Sequence, residues 1–434
     1  KRNRTFTGSY LQHDIGSHIM ILSKLIHSRS EERTKMTSRQ KLLMISFDAV
    51  GDQDVDALLH MQNFRKLCQS GTLVRKVSSI FISNTYPTHT TIQTGVLPET
   101  HGIFDNDIQI PGNKYETWRF HVSNISPGVK TLPDEATKAG KTVCSILFPV
   151  TGGANIRYNF PEIPGYIPQV RRIYDTFAYG TASFVFSSLL RYGYQLGRFH
   201  TSDIDDFATS VACGMIRKRK ADLIMLHLLD ADDNKHVFGP HSKESSSSLE
   251  RLDLRLGKLL RAIESSGQSD SMSVLLFSDH NCCDVAETIR PNRLLREAGF
   301  TYLDAHFHSS HGACFLTIKN EKKRPAILRF AEDFQERRGV ARRLSEEEMH
   351  VSGADKEYDL GYAAAPGFGF GKKELGQHGF ALDRENYYTF YAASGGPVAQ
   401  GKLQEGGSLL NICPLAVDLL GLNPWKMDGK NELF

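Results

Sequence analysis

The sequence has no Cys-x-x-Cys pair, no internal repeat and no apolar run long enough to cross a bilayer. Its seven cysteines, Cys68, Cys144, Cys213, Cys282, Cys283, Cys314 and Cys413, are odd in number and scattered. That argues against a disulfide framework and for a reducing, cytoplasmic compartment. The apolar stretch at 19–26 is broken by Ser23 and Lys24. It is too short to span a membrane, and no small-residue cleavage site follows it. An excess of basic charge is also missing. Lys and Arg number 52 against 49 Asp and Glu, and residues 1–41 carry +6 of the overall +3, leaving −3 for the rest. Such a body is not a nucleic-acid binder by composition. Residues 1–40 are expected to form an extension to which the sequence assigns no role, with one domain over 41–434. Oligomeric state is not encoded in any pattern that can be read.

What is present is ordinary globular composition, 40% hydrophobic and 23% charged, with ample chain for a core. Short apolar runs at 41–47, 73–81, 143–148, 223–229, 273–277 and 387–393 have strand length. Between them lie helical patterns at 56–70, 87–94, 246–265 and 409–420. In the third of these, Leu249, Leu252, Leu256, Leu259, Leu260 and Ile263 share one face. Strands alternating with helices predict an α/β fold with a mostly parallel central sheet sandwiched by helices. Two stretches break the rhythm. Residues 106–200 are rich in Pro, Gly and aromatics; residues 286–376 carry a charged helix (326–338) and a Gly-rich loop (361–371). Both are expected to be inserted cap segments over the edge where function sits.

In an open α/β sheet, ligands bind at the carboxyl ends of the strands. Three apolar runs here end at acids. Phe47 leads into Asp48, Leu229 into Asp230 and Asp232, and Phe277-Ser278 into Asp279-His280. Taken singly, such acids are helix caps or turn formers. Taken together with His236 and His378, they make a set of carboxylates and imidazoles suited to divalent metals. The segment Asn84-Thr85-Tyr86-Pro87-Thr88 adds a hydroxyl at the start of a helix, since Pro87 suits a first turn. The N–H groups and dipole there favour an anion. A threonine hydroxyl beside a divalent cation becomes a usable nucleophile.

These residues resemble the alkaline phosphatase superfamily, and most closely its nucleotide pyrophosphatase/phosphodiesterase branch. The pieces that carry the resemblance are SFDAVG (46–51), NTYPTHTTIQTGVLPETHGIFDN (84–106), DADDNKHVFGP (230–240), FSDHN (277–281) and GQHGF (376–380). Each alone is unspecific; five in the family's order, spread over residues 41–425, are not. The resemblance implies two divalent metal ions, zinc in that family. One would be held by Asp232, His236 and His378, the other by Asp48, Asp279 and His280 together with Thr85. It further implies a phosphodiesterase or nucleotide pyrophosphatase acting on a phosphate ester or nucleotide through a covalent phospho-threonine intermediate at Thr85. Thr88 stands where the branch usually has an Asn that touches the phosphate, and Asn84 is a second polar candidate for that contact. Phe148 lies where the branch carries an aromatic-Pro segment, and is a candidate for stacking on a nucleobase, with Tyr158, Phe160, Tyr166 and Tyr174 as other aromatics in the same stretch.

Two further readings use the same residues. A phosphomonoesterase or phosphonate hydrolase shares the scaffold, but a monoester dianion calls for added positive charge, and no Arg or Lys adjoins the nucleophile motif. An inactive binding homologue would lack ligands, whereas all six are present. A sulfatase needs Cys or Ser where Thr85 stands, and a manganese-dependent phosphoglycerate mutase needs Ser.

Overall fold

The computed structural model describes residues 40–108, 117–164 and 169–434. The expected extension at 1–40 therefore lies, but for Gln40, outside the described residues, as does Tyr166. Residues 41–434 form one compact unit, with an eight-stranded sheet at its centre. Its strands run in the spatial order Lys402–Glu405, Gly71–Val77, Thr389–Ser394, Met272–Phe277, Lys41–Phe47, Leu223–Leu228, Val143–Ile146 and Tyr158–Phe160. All neighbours are parallel except that Thr389–Ser394 runs against both of its partners. The α/β architecture expected from the alternation is thus the one observed.

Burial explains why these runs are strands. In Lys41–Phe47, Leu43, Ile45 and Phe47 enter one hydrophobic cluster while Leu42 and Met44 enter another on the opposite face. A strand covered on both sides reads as an unbroken apolar run because successive side chains point to opposite faces. Each such side chain, fully buried, stabilises the fold by roughly 1.5–3 kcal/mol. The amphipathic helix Lys243–Ser265 closes one face through Leu249, Leu252, Leu256, Leu259 and Ile263, all buried. Its start is capped by Ser242, whose hydroxyl accepts from Ser245 N–H. On the other face lie Thr85–Thr94, buried along its whole length, and Ile412–Leu420.

Several expected elements are shorter or different. The helix at 56–70 is two helices, Val55–His60 and Gln62–Gln69, because Met61 between them is extended at ψ 150°. The strand at 73–81 ends at Val77; beyond it the chain leaves the sheet for the site, where the Ser79 hydroxyl donates to Asp279 O at 2.8 Å. The Gly-rich 361–371 is not a loop. Leu360–Ala364 and Gly367–Phe370 are strands, the first in a four-stranded antiparallel sheet with Ala305–Ser310, Ala313–Ile318 and Val340–Arg343. Glycines at 361 and 369 face Leu344 and Gln377 so closely that a side chain would collide, so glycine here serves packing rather than turning. Within 106–200, Val143–Ile146 and Tyr158–Phe160 belong to the central sheet, and the departure from it is chiefly the helical stretch Gln169–Tyr179 and Ala182–Tyr192. Among the described residues no helix is long and apolar enough to cross a membrane.

Candidate metal centre

Register brings the acids together. Lys41–Phe47 lies between Leu223–Leu228 and Met272–Phe277, with Ser46 opposite both His227 and Phe277. The loops leaving these three strands therefore emerge side by side and present Asp48, Asp232 and the pair Asp279-His280 at one edge. Asp48 N–H donates to Leu228 O at 3.0 Å, and Ala49 N–H to Asp279 Oδ1 at 3.2 Å. Both bonds lock the first loop to its neighbours.

The inner cluster is Asp48, Asp279 and His280, all buried, with ligand atoms within 4.8 Å of one another. His280 Nε2 lies 3.4 Å from Asp48 Oδ1 and 3.2 Å from Asp279 Oδ2. Thr85 Oγ1 stands 3.4 Å from the same nitrogen. The outer cluster centres on Asp232, whose Oδ1 is 3.2 Å from His236 Nε2 and 3.9 Å from His378 Nε2. Asp232 and His236 share a face of helix Asp230–Phe238 because they are four residues apart. The His280 and His378 rings stack at 4.0 Å between centroids, joining the two clusters. Asp230 takes no part: Arg251 and Arg255 hold its carboxylate at 2.6 and 2.8 Å.

In two of the three imidazoles, those of His236 and His378, the second ring nitrogen is engaged. His236 Nδ1–H donates to Gly376 O at 2.8 Å, and His378 Nδ1–H to Asn84 Oδ1 at 2.7 Å. That tautomer leaves the Nε2 lone pairs for a cation, the usual device for orienting a metal-binding imidazole. Asp48 Oδ1, Asp232 Oδ1 and Asp279 Oδ2 are buried without a hydrogen-bond partner. Unpaired buried carboxylate oxygens cost several kcal/mol each in effective terms, and cations among them would remove that cost. The residues present fit divalent metals on both counts.

The electrostatics divide the site: against burial, Asp232 and Glu374 hold His236 well above the ordinary histidine value, so ligation there displaces a proton. Burial holds His280 down at about 3 and, with the neighbouring imidazoles, His378 well below the ordinary histidine value, so both are neutral, as ligation requires. Burial lifts Asp232, but the His236 imidazole foremost outweighs it and holds the carboxyl at about 2. Burial, then Asp232, pushes Asp48 up to about 6, against its hydrogen bond from His227, and burial with Asp48 raises Asp279 well above the carboxylate range. A carboxyl raised on folding stabilises the fold fully below its unfolded value, near 4, and loses that contribution as pH rises through its folded value, here about 6. For Asp48 this is on the order of 3 kcal/mol. A bound cation takes the proton's place. The melting-temperature gap between metal-loaded and chelator-treated protein should therefore widen from pH 5 to pH 8; thermal melts in which it narrows would contradict the carboxylate assignment.

All six expected ligands and Thr85 thus meet at one edge. The three expected substrate contacts do not. Thr88 is buried, and its hydroxyl donates to Asn84 O and Thr85 O at 2.7 and 2.9 Å within its own helix. Asn84 donates to Asp105 and Ser310 at 2.6 and 2.7 Å while accepting from His378, so it orients a ligand and has no donor left for phosphate. Phe148 is 0% exposed, in the core, edge-on to His89 at 5.0 Å. The helix N-terminus is also less open than expected: Tyr86 N–H is taken by Asn106 Oδ1 at 2.8 Å and Thr88 N–H by Asn84 O.

Sequence reasoning passed over five participants. His227 Nε2–H donates to Asp48 Oδ2 at 3.0 Å, and its Nδ1 faces Glu162 at 3.3 Å; mid-strand, it reads as core. His89 bridges Thr85 O at 2.7 Å and Ser46 Oγ at 2.9 Å. Asn106, at the end of the longest motif, holds Tyr86 N–H, which leaves its Nδ2 as a donor. His311 and Glu374 flank the outer cluster. Asn106, His311 and Glu374 line a chamber of about 740 Å³ that also contacts Thr85, Asp48 and Asp232, a size suited to a small-molecule ligand.

The family model for type I phosphodiesterase / nucleotide pyrophosphatase matches residues 42–390. Bis(5'-adenosyl)-triphosphatase ENPP4 of Bos taurus is 23% identical over 430 residues, covering 95% of this chain and 84% of that protein. Ectonucleotide pyrophosphatase/phosphodiesterase family member 5 of Homo sapiens is 24% identical over 276 residues, 61% of this chain and 50% of that protein. Murine ectonucleotide pyrophosphatase/phosphodiesterase 5, solved in an inactive form in complex with AMP, aligns at TM-score 0.68 and 19% identity over 90% of this chain and 97% of that chain. At that identity the likeness speaks for the fold.

Proposed function

The chain belongs to the type I phosphodiesterase / nucleotide pyrophosphatase family, and from that premise we propose that its metal centre cleaves phosphodiester and pyrophosphate bonds of nucleotide-like substrates, with Thr85 as nucleophile. The observation that carries this reading is the position of Thr85 Oγ1, 3.4 Å from His280 Nε2 on the chamber wall.

Asp48, Asp279 and His280 would hold one divalent cation and Asp232, His236 and His378 the other; zinc suits this mixed ligand set. Such a pair supplies a lowered hydroxyl pKa and offsets charge on the attacking and leaving oxygens. The chain's own residues do the rest. Helix Thr85–Thr94 and the His89 bond to Thr85 O fix the nucleophile. Thr85 Oγ attacks phosphorus and the bond to the leaving oxygen breaks, giving a threonyl phosphate ester. Water then attacks the same phosphorus, the bond to Thr85 breaks, and a monoester leaves. Asn106 Nδ2 is the side-chain donor placed to hold a non-bridging oxygen.

One feature favours an organic diester over a monoester. An apolar side pocket of about 130 Å³, lined by Leu147, Phe160, Phe177 and Phe207, shares Glu162 and Arg172 with the chamber and suits an organic group on phosphate. The cations Arg172, Lys372 and Lys373 also line the chamber and would offset phosphate charge in a substrate of either class. Phe160, among the aromatics considered for a nucleobase, lines this side pocket; Tyr174 is 64% exposed. The seven free thiols, six of them buried, support a reducing, cytoplasmic setting. Turnover of bis-p-nitrophenyl phosphate and of a nucleotide p-nitrophenyl ester is expected to exceed that of p-nitrophenyl phosphate by about tenfold or more in kcat/KM, corresponding to about 1.4 kcal/mol. Preference for the monoester would transfer the assignment to a phosphomonoesterase.

A further inference from the structure

We propose that His311 is a fourth protein ligand of the outer cation, making that site Asp232 with three imidazoles, and that Glu374 is the carboxylate that holds the added ring in place. The inference rests on the two-cation reading and concerns residues outside the six ligands of that reading.

His311 occupies the turn between Ala305–Ser310 and Ala313–Ile318, with φ at +54°. That backbone region is uncommon for a residue with a side chain, so the turn is held by its surroundings. Gly312 N–H donates to His378 O at 2.8 Å, and Phe370 N–H to His311 O at 2.7 Å. The turn is thereby tied to the backbone of an outer ligand. Its imidazole lies 4.4 Å from the His378 ring and 5.3 Å from the His236 ring, centroid to centroid. One ligand atom from each of the three histidines falls within 4.8 Å of the others. Two zinc–nitrogen bonds of about 2.1 Å span about 4.2 Å, so small side-chain rotations close the site.

The hydrogen bonding of the three rings follows one rule. In His236 and His378, Nδ1 is given to a backbone or amide oxygen and Nε2 is turned to Asp232. In His311 the roles are exchanged. Nε2 faces Glu374 Oε2 at 3.7 Å, and Nδ1 is buried with no hydrogen-bond partner. The same Glu374 oxygen is 3.4 Å from His236 Nδ1. One carboxylate thus stands behind two imidazoles, the arrangement that orients metal-binding histidines and raises their basicity. Lys372 approaches the other Glu374 oxygen at 3.4 Å, fixing the carboxylate.

A third imidazole tilts the outer site toward zinc, cobalt, nickel or copper and away from magnesium or manganese. It also makes the two cations unequal, the outer one being the harder to strip. Reconstituted two-zinc protein, titrated with a chelator and followed by metal analysis, tests this. His311→Ala is expected to weaken one of the two zinc ions by about tenfold or more, and Glu374→Gln to weaken the same ion less, with the other ion unmoved. In the cobalt-substituted protein, His311→Ala should alter the visible d–d absorption of that one ion. Chelator midpoints and cobalt spectra equal to wild type in both variants overturn the proposal, even if turnover falls, because His311 would then serve substrate alone. Wild-type protein that never binds two ions overturns instead the two-cation reading beneath it. Should His311→Ala fail to fold, His311→Gln keeps a polar side chain on the turn and is read by the same chelator titration and cobalt spectrum, with the same outcomes deciding.

Discussion

Thr85→Ala is expected to cut turnover by on the order of 10⁴-fold or more while both cations remain bound. The two halves of this expectation come from different parts of the structure. The carboxylates and imidazoles are gathered by strand ends and by hydrogen bonds in which the Thr85 hydroxyl has only a marginal share. That hydroxyl touches His280 Nε2 at 3.4 Å. Its helix is held instead by burial and by the His89 bond to the Thr85 carbonyl, which alanine keeps. Stability should therefore change by no more than about 1 kcal/mol. Normal rates in Thr85→Ala, measured with bis-p-nitrophenyl phosphate, would remove the residue from the mechanism.

Asp279→Asn is expected to lose the inner cation and, with it, about 10³-fold in rate. Asp279 offers two oxygens: Oδ1 accepts from Ala49 N–H at 3.2 Å and Oδ2 is buried without a hydrogen-bond partner, 3.2 Å from His280 and 3.5 Å from His89. An amide preserves the first contact and removes the charge that a divalent ion needs from the second. Because burial beside Asp48 penalises the charged Asp279, the metal-free variant should melt no lower than metal-free wild type at pH 8. Metal analysis should find about one ion fewer per chain; full occupancy in Asp279→Asn would contradict the ligand assignment.

What could be read in advance divides along a physical line. The six residues proposed as ligands were legible because each sits where a short apolar run meets the sheet edge or in a compact local motif. Asp232 and His236 prove to share a helix face, but their spacing alone did not set them apart from a solvated loop. The roles of Asn84, Thr88 and Phe148 were not legible, because side-chain commitments are tertiary. Asn84 is bound to partners 21, 226 and 294 residues away, and nothing local distinguishes an amide that orients an imidazole from one that touches phosphate. His311 comes from a hairpin turn outside the five motifs, and Glu374 from the loop just before Gly376, where the motif drew attention to His378 alone. The glycines at 361 and 369 misled for a related reason: in a strand they mark close approach of another chain segment, which composition alone renders as a loop.

The account stands on Thr85 becoming covalently linked to phosphorus. Metal-loaded protein, acid-quenched during turnover of bis-p-nitrophenyl phosphate and digested for peptide mass spectrometry, should carry a phosphoryl ester on the peptide containing Thr85, and the Thr85→Ala protein should carry none. An adduct borne by any other residue would contradict it.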